Sequence, residues 1–176
     1  MRTLTAVIMA AGKGTRMKSK WPKVLHPLAG KPLLSHVLDT VRKMGIDEPR
    51  VILGHQRELV AEYLPAGVQV VVQEEQLGTG HALMQALPFL DGIETVIVLS
   101  GDQPLLTVET LNKLLEVHRE RRSAATVLSA SVDNPAGYGR VIRDGDRLKK
   151  IVEEKDASEA ERAVREINTG TYCFQV

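Results

Sequence analysis

The 176-residue chain is 43% apolar and 26% charged, enough to bury one sizeable core and too apolar for general disorder, so a single domain over residues 1–176 is expected. A formal net charge of +1 argues against a protein that coats nucleic acid, and no apolar run approaches the roughly 20 residues needed to span a membrane. The lone cysteine, Cys173, precludes an intrachain disulfide and reads as a small buried hydrophobe, and the N-terminus lacks a signal peptide's apolar core, so a cytoplasmic setting is expected.

Short β-branched apolar runs predict strands at Leu4–Met9, Arg50–Leu53, Val68–Val72, Thr95–Leu99 and Thr126–Val132. Between them, Leu33, Leu34, Val37, Leu38, Val41 and Met44 keep one apolar helical face, which Gly45 closes. Further helices are expected at Arg57–Leu64, Thr79–Leu87 and Thr107–Arg121. Strands alternating with helices imply an α/β fold: a Rossmann-like, mostly parallel sheet with helices on both faces and ligands at the carboxyl ends of its strands.

Charge is distributed unevenly along this framework. No Asp or Glu occurs from Met1 to Leu38, where Arg2, Lys13, Arg16, Lys18, Lys20, Lys23 and Lys31 accumulate. The loop after the first strand, MAAGKGTRMKSKWPK, is therefore a candidate anion site. It fails the P-loop template, because Gly12-Lys13 is followed by Gly14 and Val7 stands where the first glycine belongs. It fails the dinucleotide template too, because Met17 occupies the third glycine position and Pro22 and Pro27 prevent an immediate long helix. What remains is a longer, proline-bounded loop whose backbone N–H groups can converge on phosphate oxygens while Arg16 and Lys23 bring full charges. Trp21 has no role that the sequence assigns.

Three later segments add groups suited to a nucleotide and a sugar. QEEQLGTGHA (73–82) sets Gln73 and Gln76 beside a Gly-Thr-Gly turn, and their amides carry the mixture of donors and acceptors that a uracil edge requires; Thr79 could equally be a helix cap. SGDQPLL (100–106) puts Asp102 just past an apolar strand, as a turn cap or a ligand for Mg²⁺. NPAGYGR, IVEEKD and EINTG bear Gly137, Glu153 and Asn168 within or beside β-like runs, where they suit a hydroxyl-rich ligand or simply order turns.

In this order the segments AAGKGTRM, PKVLH, QLGTGHA, GYGR and EINTG resemble the sugar-phosphate nucleotidyltransferases. The resemblance is closest to the uridylyltransferase domain of the bifunctional bacterial UDP-N-acetylglucosamine pyrophosphorylase/glucosamine-1-phosphate N-acetyltransferase family, and it runs along essentially the whole chain. It implies a reaction of UTP with N-acetylglucosamine 1-phosphate that yields UDP-N-acetylglucosamine, a precursor of peptidoglycan and lipopolysaccharide, and pyrophosphate. It further implies that Met9, Ala10, Ala11, Gly12, Gln73, Gly78 and Thr79 bind the uridine nucleotide, with Gln73 reading the base. Ser100, Gly101, Asp102, Gly137, Glu153 and Asn168 match positions lining the nucleotide-sugar pocket. Asp102 matches a Mg²⁺ ligand, and Arg16 and Lys23 match the catalytic cations that stabilise the transferring phosphoryl group. Family members continue past the position of Val176 with a second Mg²⁺ ligand and a left-handed β-helix that carries acetyl transfer and trimerisation, so the resemblance implies a chain lacking both. A sibling activity on another nucleotide, or a nucleotide-sugar binding module without turnover, are the alternative readings.

Overall fold

The computed structural model describes residues 4–12, 14 and 17–176. In chain order the elements are β1 (Leu4–Ala10), the hairpin strands β2 (Pro27–Leu28) and β3 (Lys31–Pro32), α1 (Leu33–Lys43), β4 (Arg50–Leu53), α2 (Arg57–Ala61), β5 (Gln69–Val72), α3 (Thr79–Met84), β6 (Thr95–Ser100), α4 (Val108–Glu120), β7 (Ala125–Ser131), β8 (Arg140–Asp144), β9 (Arg147–Val152), α5 (Glu159–Arg162) and β10 (Glu166–Gln175).

The main sheet has the order β5-β4-β1-β6-β10-β8-β9, and β7 also pairs with β10. β1 lies parallel to β4 and β6, and β4 parallel to β5, whereas β10 is antiparallel to β6, β7 and β8. With β9 antiparallel to β8, strands β1, β4, β5, β6, β7 and β8 run one way and only β9 and β10 the other. This is the mostly parallel sheet that alternating strands and helices predict. The chain starts at β1, moves outward through β4 and β5, then crosses back to lay β6 on the other side of β1. That reversal opens a crevice outside the carboxyl ends of β1 and β6, the general ligand position of open α/β sheets.

The central strands are largely apolar because both sheet faces are covered. On one face Ala6, Ile8, Val51, Leu53, Ile97 and Leu99 pack against Leu34, Val37, Leu38 and Val41 of α1, Val60 of α2, and Leu111, Leu114 and Leu115 of α4. On the other, Val7, Ile52, Val96 and Val98 meet Ala82 of α3 together with Ala86, Leu90 and Ile93. Helices thus cover both faces, and the strand residues divide between them with period two. Cys173 belongs to the first cluster, fully buried, and burial pushes its thiol up to about 12. Leu111 sits at the heart of the same cluster with no exposed surface. Leu111→Ala is expected to cost about 2–5 kcal/mol, read as a lower urea midpoint with unchanged slope.

Element ends differ from the sequence reading where local chemistry intervenes. The third predicted helix stops at Met84, and the chain continues as a 3-10 turn at Leu87–Phe89, because Pro88 has no N–H to extend an α-helix. α2 ends at Ala61, four residues before Pro65, and its last turn tightens into bonds from Tyr63 N–H to Val60 O and Leu64 N–H to Ala61 O. The longest strand, β10, is absent from the sequence reading. It carries a register shift between Asn168 and Thr171, and Gly170 sits there at φ 79°, so alternation breaks in mid-strand.

Candidate active site

A cleft of about 630 Å³ opens at the crevice between β1 and β6. Of the residues the sequence singled out, Met9, Ala10, Ala11, Gly12, Lys23, Gln73, Gly78, Thr79, Ser100 and Asp102 line it. They come from four places: the end of β1, the 3-10 turn at Lys23–Leu25, the turn between β5 and α3, and the end of β6. Gly101 lies between two of the lining residues, where a Cβ would come 3.1 Å from Leu34 Cδ1 and 3.3 Å from Met9 O, so a larger side chain would part the strand end from α1. Arg16 lies outside the described residues.

Met17 N–H donates to Gly14 O at 2.9 Å, and Gly14 has φ 59°, a conformation in which a side chain is strained. A Cβ at Gly14 would also come 2.9 Å from Lys23 Cβ, so the glycine allows the loop to close against the lysine. Pro22 caps the 3-10 turn that carries Lys23, and Val24 and Leu25 bury beneath it, which fixes the lysine's backbone at the cleft floor.

Lys23 Nζ forms an ion pair with Asp102 Oδ2, and Ser100 Oγ donates to Asp102 Oδ1 at 2.5 Å. Burial pushes the Asp102 carboxyl up, but the bonds from Lys23 and Ser100 outweigh it and hold the group below the usual carboxylate range. Asp102 is therefore an ionised carboxylate at neutral pH, on the lining of the cleft. Among the described residues no three His, Cys, Asp or Glu side chains converge to form a metal cage. A lone carboxylate suits Mg²⁺, which takes few protein ligands and completes its shell with phosphate oxygens and water.

Gln73, at the end of β5, is 3% exposed. Its amide nitrogen donates to Gly78 O at 3.3 Å and stands 3.0 Å from His81 Nδ1. The N-cap of α3 is Gly78, without a side-chain cap, so Thr79 is not spent as the helix cap that the sequence left open.

Gly137, Glu153 and Asn168 do not line this cleft. Glu153 and Asn168 meet around Gly139, where a Cβ would come 3.2 Å from Glu153 Oε1 and 3.5 Å from Asn168 Cβ. Asn168 Oδ1 accepts from Tyr172 OH at 2.9 Å and from Gly170 N–H at 3.0 Å, which leaves the amide's N–H groups free to donate. Burial pushes the Tyr172 phenol up, its bond to Asn168 opposes this, and the Glu153 charge adds to the rise. Gly137 N–H donates to Glu154 Oε2 at 3.1 Å, and the same oxygen takes the buried Arg140 at 2.7 Å, so Glu154 braces the glycine-rich turn. The two groups of residues are joined through Gln103, whose amide donates to Thr169 O at 2.5 Å and accepts from Thr171 Oγ1 at 3.1 Å.

A glycine-bearing strand end, an ionised carboxylate and a buried amide lie together at one strand-end crevice, and residues 6–167 match the MobA-like NTP transferase domain. The chain belongs to the MobA-like NTP transferase family. This NTP transferase domain is 59% identical over 171 residues to the bifunctional protein GlmU of Desulfitobacterium hafniense strain Y51, a match covering 97% of this chain and 38% of that protein. It thus spans well under half the length of the curated relatives it matches. Among solved structures, HddC from Yersinia pseudotuberculosis superposes with a TM-score of 0.78 at 25% identity, covering 97% of this chain and 76% of that one. A UDP-glucose pyrophosphorylase solved with UDP-glucose shares the fold, with a TM-score of 0.78 at 17% identity and coverage of 99% and 76%. The fold is that of the nucleotide-diphospho-sugar transferases.

Gln76, which the sequence reading offered together with Gln73, lines the cleft beside it, whereas three neighbouring residues are left out of that reading. Gln103 follows Asp102 directly, but nothing in SGDQPLL reveals that it spans to β10. Tyr172 and Glu154 act through neighbours of the named residues, and only the antiparallel pairing of β8, β9 and β10 brings them there.

Proposed function

We propose that this chain catalyses uridylyl transfer from UTP to N-acetylglucosamine 1-phosphate, releasing pyrophosphate. The observation that carries the reading is the convergence at one crevice of the Met9–Gly12 backbone, the Lys23–Asp102 pair and the buried Gln73 amide. The 59% identity with a protein named bifunctional GlmU supports the choice of nucleotide and sugar.

A phosphate oxygen of the sugar phosphate forms the new bond to the α-phosphorus of UTP, and the bond from that phosphorus to the bridging oxygen of pyrophosphate breaks. The nucleophile is already anionic near neutral pH, since the second pKa of such a phosphate is about 6, so no side chain has to remove a proton. The chain's task is to bring two polyanions together and stabilise charge on the equatorial oxygens. The backbone of Ala10, Ala11 and Gly12 lies beside the triphosphate position, Lys23 supplies a cation, and Gln73 meets the uracil edge. Glu153 and Asn168 stand on the sugar side. Asp102 would hold Mg²⁺, which supplies charge neutralisation between the two reactants.

Pyrophosphate release is expected with UTP and N-acetylglucosamine 1-phosphate, and at far lower rates with CTP, GTP or dTTP or with glucose 1-phosphate. Turnover preferring another nucleotide would overturn the assignment. Saturable binding of UDP-N-acetylglucosamine with no release from any nucleotide would make the chain a binding module instead.

A further inference from the structure

We infer that His81 is a positioning residue that fixes which end of the Gln73 amide faces the cleft, and so sets the selectivity for uracil over cytosine. The inference rests on the proposed reading of the base by Gln73. A primary amide presents two donors from nitrogen and an acceptor at oxygen, nearly identical in shape, so an unrestrained Gln side chain can meet a ligand with either end. Here both N–H groups have acceptors inside the protein: Gly78 O at 3.3 Å and His81 Nδ1 at 3.0 Å. The carbonyl of Gly78 can only accept, which makes the atom beside it the amide nitrogen. His81 Nδ1 then has to accept as well. No donor among the described residues engages Gln73 Oε1, and the residue lines the cleft.

An oxygen in that position accepts from the N3–H of uracil. Cytosine carries a lone pair at N3, which would face the oxygen and leave two acceptors opposed. Turning the amide over reverses the preference, and His81 decides how costly that turn is. With Nδ1 as acceptor, a reversed amide sets its oxygen against both Nδ1 and Gly78 O. The neutral ring has one acceptor and one donor, so Nε2 carries the proton. Nε2 lies 3.3 Å from the Gln85 amide nitrogen, which also donates to His81 O at 3.3 Å; a half-turn that brings Gln85 Oε1 to the N–H sets that oxygen against His81 O, and because both of its contacts are longer than the 3.0 Å one at Nδ1, Gln85 is the amide that yields. The i, i+4 spacing of His81 and Gln85 places the two side chains on one face of the chain leaving α3.

The test is calorimetric titration of the chain with UTP and with CTP, for the wild type, Gln73→Ala, His81→Ala and His81→Asn. Alanine keeps the helix, while asparagine Oδ1 stands in for Nδ1 as an acceptor. The ratio of CTP to UTP dissociation constants is expected to fall about tenfold in His81→Ala and to stay within about twofold of wild type in His81→Asn. A ratio unchanged in His81→Ala, or lost equally in His81→Asn, overturns the role of His81. A wild-type ratio in Gln73→Ala overturns base reading by Gln73 itself, a result distinct from failure at His81 alone.

Discussion

Asp102→Asn is expected to abolish Mg²⁺-dependent pyrophosphate release while leaving the fold intact, a loss of at least about a hundredfold in kcat. The carboxamide nearly matches the carboxylate in shape and can still take the hydrogen bond from Ser100 Oγ, now 2.5 Å from Oδ1. What it loses is the negative charge. Lys23 would then stand at the same place without the Asp102 charge, and no other acid among the described residues lines the cleft. A lone carboxylate cannot repay the dehydration of Mg²⁺, so the wild-type chain should bind the ion weakly alone and tightly once UTP supplies phosphate oxygens. Two measurements check this: Mg²⁺ titrations of both proteins with and without UTP, and pyrophosphate release against Mg²⁺ concentration. Circular dichroism establishes that both are folded. Wild-type metal dependence in the variant would return Asp102 to a turn-capping role.

The parts of this site that were legible in the sequence are those whose chemistry is local. The strands β1, β4 and β6 are short apolar runs buried on both faces, and the half-exposed edge strand β5 is an equally short apolar run, so composition alone locates them within a residue or so. Because β1, β5 and β6 end where their apolar runs end, the loops that follow, with Gly12, Gln73 and Asp102, fall at one edge of the sheet. The antiparallel half was illegible for the opposite reason. β8 and β9 have exposed, charged faces, so their pattern resembles a solvated turn as much as a strand. β10 hides behind its bulge at Asn168–Thr171, yet that bulge directs Asn168 toward Glu153 and lets Gln103 reach the backbone of Thr169. A residue's role here depends on strand pairing between distant segments, which no short window of sequence contains. The pairing of Lys23 with Asp102 is of the same kind: the sequence gives each a separate part, and only the fold brings them into contact.

Lys23→Ala is expected to lower kcat by about a hundredfold with a smaller change in KM, because a cation aimed at developing charge acts mainly in the transition state. Lys23→Arg should restore only part of the rate, since a planar guanidinium does not reproduce a compact ammonium charge held above a 3-10 turn. The ion pair separates this role from a structural one. The Lys23 side chain is 41% exposed and that of Asp102 20%, so solvent screening leaves the pair little weight in stability, and the variant should unfold close to wild type at pH 7. The acid limb carries a finer signature. Asp102 is depressed in the folded state, so its contribution to stability is present above the ordinary carboxylate pKa and is lost as pH falls through the lowered value. Removing Lys23 takes away the largest of the lowering influences and lets burial raise the group, so the small stability gap between wild type and variant should close as the solution is acidified. Carboxyl NMR titration of Asp102 in both proteins reads the shift directly, and kcat and KM at saturating Mg²⁺ read the chemistry. If the Asp102 titration moves but kcat does not, Lys23 is the counter-ion of Asp102 and takes no part in phosphoryl transfer.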